Sequence, residues 1–272
     1  MISAKKINIH YDRKQVIHDL CMDINEGEII SIIGPNGSGK STILKALSRL
    51  IKPSNGVAYL NGYDIQKLPT KEVAKKLSIL SQHNHSPADC TVRDLVSYGR
   101  MPYKKWYEFK NKYDDEIVDW AISVTKLTGL ADRFISTLSG GERQRAWIAM
   151  TLAQKTKVLM LDEPTTYLDI SHQLEVMELL YEINRKYRVT IIMVLHDLNQ
   201  ASKYSDRIFV INKGRLVMQG SPHKVITKRM LRDVYNIEAQ ITIDKTTSKP
   251  MFFAISPLKR YEDNIIRIKE AK

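Results

Sequence analysis

The chain opens with two segments, Lys6–Tyr11 and Val16–Ile24, in which apolar and polar residues alternate, the period-two pattern of strands with one buried face. Glu28–Ile33 is instead a short apolar run ending at a glycine-rich stretch, which predicts a strand buried on both faces. Ser41–Leu50 switches to helical spacing, and Asn55–Leu60 returns to a strand pattern with Asn61-Gly62 as its turn signal. Helical periodicity dominates from Thr91 to Gln154, broken by loop chemistry around Met101–Lys112 and at Thr137–Gly141. Two more strand-like runs, Lys157–Leu161 and Val189–Leu195, each adjoin a helical segment. Strands and helices alternating on both sides of a helical stretch predict an α/β fold, a parallel core with a helical insertion. The tail from Lys213 reads as strands and turns, with Ile241–Ile243 and Met251–Ile255 flanking a polar loop as an appended hairpin. No repeat and no sustained heptad is present.

The length of 272 residues allows one large domain or two modest ones at roughly 150 residues each. With 43% hydrophobic and 26% charged residues, wholesale disorder is excluded. The longest apolar runs fall far short of the roughly 20 residues of a membrane span. No hydrophobic signal segment follows Met1, so a cytoplasmic protein is expected. Cys21 and Cys90 are too few for a disulfide framework. Charge changes the picture more: 42 Lys and Arg against 30 Asp and Glu give a formal +12. Thirteen basic and six acidic side chains lie between Lys213 and Lys272. A second cluster, Arg100, Lys104, Lys105, Lys110 and Lys112, is opposed only by Glu108. Such surfaces favour polyanions, either nucleic acid or an anionic membrane face, or simply aid solubility.

Gly34-Pro35-Asn36-Gly37-Ser38-Gly39-Lys40-Ser41, with Thr42 behind it, matches the phosphate-binding P-loop and stands between an apolar strand and a helix. Its glycines let successive backbone N–H groups curl around a phosphate at a helix N-terminus. Lys40 has the length to reach the β- and γ-phosphates, and Ser41 offers a hydroxyl to Mg²⁺. Val158–Glu163 is an apolar strand ending in two carboxylates, which delivers Asp162 and Glu163 to the ligand-binding edge of a parallel sheet. Asp162 is placed to hold the metal, and Glu163 to polarise an attacking water as general base.

Leu138-Ser139-Gly140-Gly141-Glu142-Arg143-Gln144 resembles the signature motif of ATP-binding cassette (ABC) ATPases. The resemblance implies a P-loop NTPase (RecA-like) core with an antiparallel β subdomain and an inserted helical subdomain. The cassette would cover residues 1–240, its helical part about 83–156, with a small β extension over 241–272. It also implies ATP and Mg²⁺ as cofactors. Tyr11 would stack on adenine, Asp169 would lie in the loop after the catalytic glutamate, and Glu163, His196 and Gln82 would form the catalytic set. Ser41, Gln82 and Asp162 would hold Mg²⁺. In this family two cassettes sandwich two ATP molecules, so Ser139, Gly140, Gly141 and Glu142 would act on the partner's nucleotide. His172 is read as a helix residue near that dimer interface.

A finer resemblance runs through Thr91–Arg100, Met101-Pro102-Tyr103, Ser139–Gln154, Thr165–Gln173 and Val194–Gln200, which are similar to importers of iron chelates and cobalamin. Tyr167, where a small residue is usual, fits the iron-chelate branch, nearest the ferrichrome-type hydroxamate importers. That branch implies permease subunits in the membrane (two copies or a heterodimer), a siderophore-binding lipoprotein or periplasmic protein, and a cassette homodimer. The chain would then sit peripherally at the cytoplasmic face of the bacterial cell membrane, without direct nucleic-acid contact. A cobalamin or haem importer is the alternative. A soluble ABC ATPase acting on nucleic acid is a further one, against which stand the single P-loop and the mere 57 positions from Gln82 to Ser139. His83 and His85 near Cys90 lack a second ligand pair and read as an exposed loop rather than a metal site. Trp106, Tyr107 and Phe109 among lysines suit a face lying against a membrane-embedded partner better than base stacking.

Overall fold

The structure, a computed structural model, describes residues 1–12, 14–82, 84, 87, 89–104 and 111–258. His83, His85, Lys105, Trp106, Tyr107, Glu108, Phe109 and Lys110 lie outside the described residues, so the expectations on them are left there. β1 (Ile2–Tyr11) pairs antiparallel with β2 (Lys14–Ile24), and after β3 (Ile29–Ile33) and α1 (Lys40–Leu47) the chain returns to that layer. There β4 (Asn55–Leu60) and β5 (Tyr63–Asp64) complete a four-stranded sheet in the order β2–β1–β4–β5. A short α2 (Thr70–Ala74) leads into β6 (Leu77–Leu80). The helical insertion follows: α3 (Val92–Tyr98), α4 (Lys112–Val124) and α5 (Gly140–Ala153). Next come β7 (Val158–Asp162), α6 (Ile170–Tyr187), β8 (Thr190–Val194), α7 (Leu198–Tyr204) and β9 (Arg207–Asn212). The chain closes with β10 (Arg215–Gly220), α8 (Pro222–Val225), α9 (Lys228–Tyr235) and a hairpin of β11 (Ile237–Ile243) and β12 (Pro250–Pro257).

The central sheet runs β10–β9–β3–β8–β7–β6, parallel except for β10, which pairs antiparallel with β9. Its inner strands explain the unbroken apolar runs. Ile29 and Ile33 of β3, Leu159 and Leu161 of β7, and Ile191 and Met193 of β8 face the core shared with α3–α7. The alternate residues Ile30, Ile32, Met160, Ile192 and Val194 face a second core with α1 and the antiparallel sheet. A strand with apolar neighbours on both faces needs no polar alternation. β6 escaped the pattern reading because four residues, Leu77–Leu80, are too few to show a period.

The tail departs from expectation. Between Ser221 and Asn236 it is helical rather than strand and turn, because Met230, Leu231 and Val234 are buried at helical spacing and Thr227 caps α9 through the Met230 N–H at 3.1 Å. The hairpin starts at Ile237, before the 241 expected for the extension, and it is tied to α7. Asn199 exchanges both amide hydrogen bonds with the Phe252 backbone, at 3.0 and 3.2 Å. Lys249 donates from its ammonium to the carbonyls of Lys203 and Ser205 at 2.9 and 2.7 Å, closing the C-terminal end of that helix.

Arg100, read above as part of a polyanion-facing cluster, is instead structural. It is 2% exposed and donates to Asp114 Oδ1 at 2.8 Å and to the Ala153 carbonyl at 2.7 Å, with Tyr103 stacked 4.0 Å away. One guanidinium therefore joins the ends of α3, α4 and α5. Asp114→Ala leaves a buried unpaired cation, and about 3–5 kcal/mol of unfolding free energy should be lost in a denaturant titration.

Candidate active site

The loop after β3 is shaped by its backbone. Gly34 has φ of +154°, and a Cβ there would lie 2.0 Å from the Ile211 carbonyl, so only glycine lets the chain leave the sheet here. The Ser38 carbonyl accepts from the Gly214 N–H at 3.0 Å, which ties the loop to the β9–β10 turn. Lys40 is buried, and its ammonium donates to the carbonyls of Gly34 at 2.9 Å and Pro35 at 3.1 Å. Burial pushes its pKa down, while Glu163 and Asp162 pull the other way. A bound phosphate would restore the full charge.

Opposite the loop, the end of β7 supplies the carboxylates. Asp162 Oδ1 accepts from the Ser41 hydroxyl at 2.8 Å. Burial holds the Asp162 carboxyl above the usual range, Glu163 adds to this, and the Ser41 hydrogen bond works against it. Glu163 sits in the left-handed region at φ +55°, which turns its side chain out of the strand while its N–H still reaches the Val194 carbonyl at 3.2 Å. One carboxylate oxygen meets His196 Nε2 at 2.5 Å, and the other accepts from Gln82 Nε2 at 2.6 Å and Thr166 Oγ1 at 3.1 Å. Lys40, Ser41, Gln82, Glu163 and His196 line a cleft of about 450 Å³ together with Asn36, Gly37, Gly39 and Thr42.

Several expected residues do not line this cleft. Tyr11 ends β1 at 45% exposure and is not among the side chains lining the cleft; Val16 of β2 is. Pro35 and Ser38 border a hollow on the other side of the loop, shared with Asn212 and Tyr235. Thr166, which steadies Glu163, was not singled out in the sequence, although it lies three residues downstream within reach of a backward hydrogen bond. Gln82 faces Glu163 with its amide nitrogen, not the Ser41–Asp162 pair. Ser41, Asp162 and the Gln82 amide oxygen are nonetheless the hard oxygen donors Mg²⁺ takes, and one or two carboxylates suffice when phosphates and water complete its shell.

The signature residues line no part of this cleft. Ser139 is exposed and caps α5: its hydroxyl accepts from the Glu142 N–H at 3.3 Å, and Glu142 accepts from the Ser139 N–H at 2.9 Å. That backbone bond, with the Ser139 hydroxyl, holds the Glu142 carboxyl below its ordinary range. Gly141 lies under His172, whose ring carbon would be 2.2 Å from a Cβ at that position. Asp169 fixes His172 by accepting at 2.9 Å from its backbone N–H and pairing with Nδ1 at 2.8 Å. The loop after Glu163 and the signature turn are thus locked together, with His172 in the first turn of α6 as expected.

A parallel sheet whose carboxyl edge joins a phosphate loop to a hydroxyl–carboxylate pair and a second, outward-turned carboxylate defines a P-loop nucleoside triphosphatase. A model of the family described as ABC transporter matches residues 17–166. The chain is 49% identical over 252 residues to the petrobactin import ATP-binding protein FpuC of Bacillus anthracis, covering 93% of this chain and 92% of that one. It is 43% identical over 262 residues to the iron(3+)-hydroxamate import ATP-binding protein FhuC of Bacillus subtilis (strain 168), covering 96% and 97%. Among solved structures, the dimeric post-hydrolysis state of the ATP-binding cassette MJ0796 bound to ADP and Pi superposes with a TM-score of 0.70 at 26% identity, covering 81% of this chain and 98% of that one. The chain belongs to the ABC transporter family and is one of its ATPase cassettes.

Because burial raises the Asp162 pKa, the folded, nucleotide-free chain holds its proton more tightly than the unfolded chain does, and the ionised group destabilises the fold above its folded pKa. Asp162→Asn should therefore raise the thermal midpoint at pH 7.5, by less as the pH falls through the carboxylate range. A midpoint unchanged at all pH values would contradict this.

Proposed function

We propose that this chain is the ATP-hydrolysing subunit of an importer of ferric siderophores, working at the cytoplasmic face of the membrane beneath separate permease subunits. The observation that carries the motor half is the Glu163 carboxylate, held by His196, Gln82 and Thr166 across the cleft from Lys40. Lys40 and the loop amides bind the β- and γ-phosphates, and Glu163 accepts a proton from the attacking water. His196, at the other carboxylate oxygen, keeps that water and the γ-phosphate in register. Ser41, Asp162 and Gln82 are the residues that would hold Mg²⁺, which neutralises developing phosphate charge when bound. In support of the import half, relatives named for petrobactin and ferric hydroxamate import match more than nine-tenths of the chain. Among the described residues no helix is long and apolar enough to cross a membrane. Hydroxamate-bound iron of the ferrichrome type is the cargo we favour, with cobalamin or haem as the alternative.

The solvent-exposed Ser139 at the N-cap of α5 supports a composite site. In a homodimer the Ser139 hydroxyl and the Gly140 and Gly141 amides of one protomer would reach the γ-phosphate held by its partner. Hydrolysis removes that charge and with it the contact across the interface, so turnover and dimer opening are one event.

Three experiments test this. Glu163→Gln should keep ATP affinity while kcat falls about 10²–10⁴-fold, as expected for loss of a general base. In a strain lacking the chain, only the wild type should then restore uptake of labelled ferrichrome; restoration of cobalamin uptake instead would move the cargo. Ser139→Arg should bind ATP with wild-type affinity yet lose hydrolysis, and mixing it with Lys40→Ala should return some activity through the one hybrid site that keeps both intact halves. Full activity of Ser139→Arg alone would refute the composite site.

A further inference from the structure

At the amino edge of the central sheet, a strand length (roughly 15 Å) from the carboxylates, a second cavity of about 300 Å³ opens. Three adjacent parallel strands begin here, and a basic residue stands just before each. Lys76 precedes β6, Lys157 precedes β7, and Arg188 lies two residues before β8. Because neighbouring strands are about 4.8 Å apart, the register sets Lys76 beside Lys157, with Arg188 one position further out on the next strand's approach. Lys155 and Lys75 join them around the rim.

Carboxylates compensate these charges poorly; the Lys155 ammonium lies 3.4 Å from the Trp120 ring centre and that of Lys76 6.0 Å from the ring centre of Tyr63. Glu26 is the carboxylate that lines the cavity, and the Met1 ammonium already engages it at 3.6 Å. Lys75 has Glu72 at 3.0 Å, but no ion pair among the described residues involves Lys76, Lys155, Lys157 or Arg188. Burial and the nearby Arg100 hold the Lys155 pKa below its usual value. The frame around Arg188 is also fixed. Its guanidinium lies on Gly27, where a Cβ would sit 3.4 Å from Nε. Buried Asn184 donates to the Gly27 and Val189 carbonyls, both at 2.8 Å, and the Gly27 N–H donates to Thr190 Oγ1 at 2.9 Å. A concave wall suits a compact ligand better than a flat membrane does, and a planar guanidinium fork beside ammonium groups matches vicinal phosphate oxygens.

We propose that this cavity binds a compact oligophosphate, at a site separate from the P-loop and on the opposite edge of the same strands. Its source is either a phosphate anhydride or a bisphosphorylated small molecule, which share that chemistry.

The full chain, its P-loop saturated with ADP and no metal added, is titrated calorimetrically with inorganic pyrophosphate and, separately, with adenosine 3′,5′-bisphosphate. One further equivalent per chain is expected for at least one of the two, and the tighter of them assigns the source. Lys157→Gln/Arg188→Gln should weaken it about tenfold with ADP affinity unchanged. Lys76→Gln/Lys157→Gln, which leaves Arg188 and its turn intact, should do the same. Absence of binding beyond ADP overturns the proposal, as does binding that both double variants retain. Sedimentation with phosphatidylserine vesicles that needs these residues but is not competed by either probe would make the patch a membrane contact and overturn it too.

Discussion

Catalytic competence in this chain depends on burying charge at the carboxyl edge of a sheet that is itself buried on both faces. Lys40 and Asp162 are both nearly excluded from solvent, and burial pushes each toward its neutral form. Their mutual attraction, the loop carbonyls and the Ser41 hydroxyl offset only part of that cost. For Lys40 the remainder is relieved by the phosphates of a bound nucleotide. Rigid apolar strands are what keep the two groups from relaxing away from each other before it arrives.

The same edge explains what could be read from the sequence. Strands with two apolar faces leave continuous runs, so β3, β7 and β8 were legible, and so were the motifs that follow them, because a phosphate cradle admits few residue types. Arg100 was misread as surface charge since composition cannot tell a solvated cation from one paired with a carboxylate fourteen residues on. Thr166 went unnoticed because its contribution is one hydrogen bond to a side chain whose direction is set by an unusual backbone angle at Glu163. Tyr11, read by resemblance as the aromatic that stacks on adenine, stands at the end of β1, and Val16 lines the wall of the cleft. The helices of the tail are short: α9 carries helical spacing at Met230, Leu231 and Val234, but over only eight residues that are followed directly by a strand.

The signature turn shows how packing restricts what an exposed site can be. Ser139 and Glu142 satisfy each other's backbone donors, so the first turn of α5 is ordered without a ligand. His172 fills the space a side chain at Gly141 would occupy, and Asp169 pins His172. A shift in the loop that follows Glu163 therefore carries the signature turn with it.

The tie between Lys249 and α7 has a consequence for biosynthesis. The last carbonyls of the helix that follows His196 are capped by a residue more than forty positions later in the chain. A nascent polypeptide emerging from the ribosome can close its P-loop and stack its sheet early, but that helix lacks its terminal cap until Lys249 has been made. Capping of that helix is thereby deferred until after every residue that lines the cleft has been made.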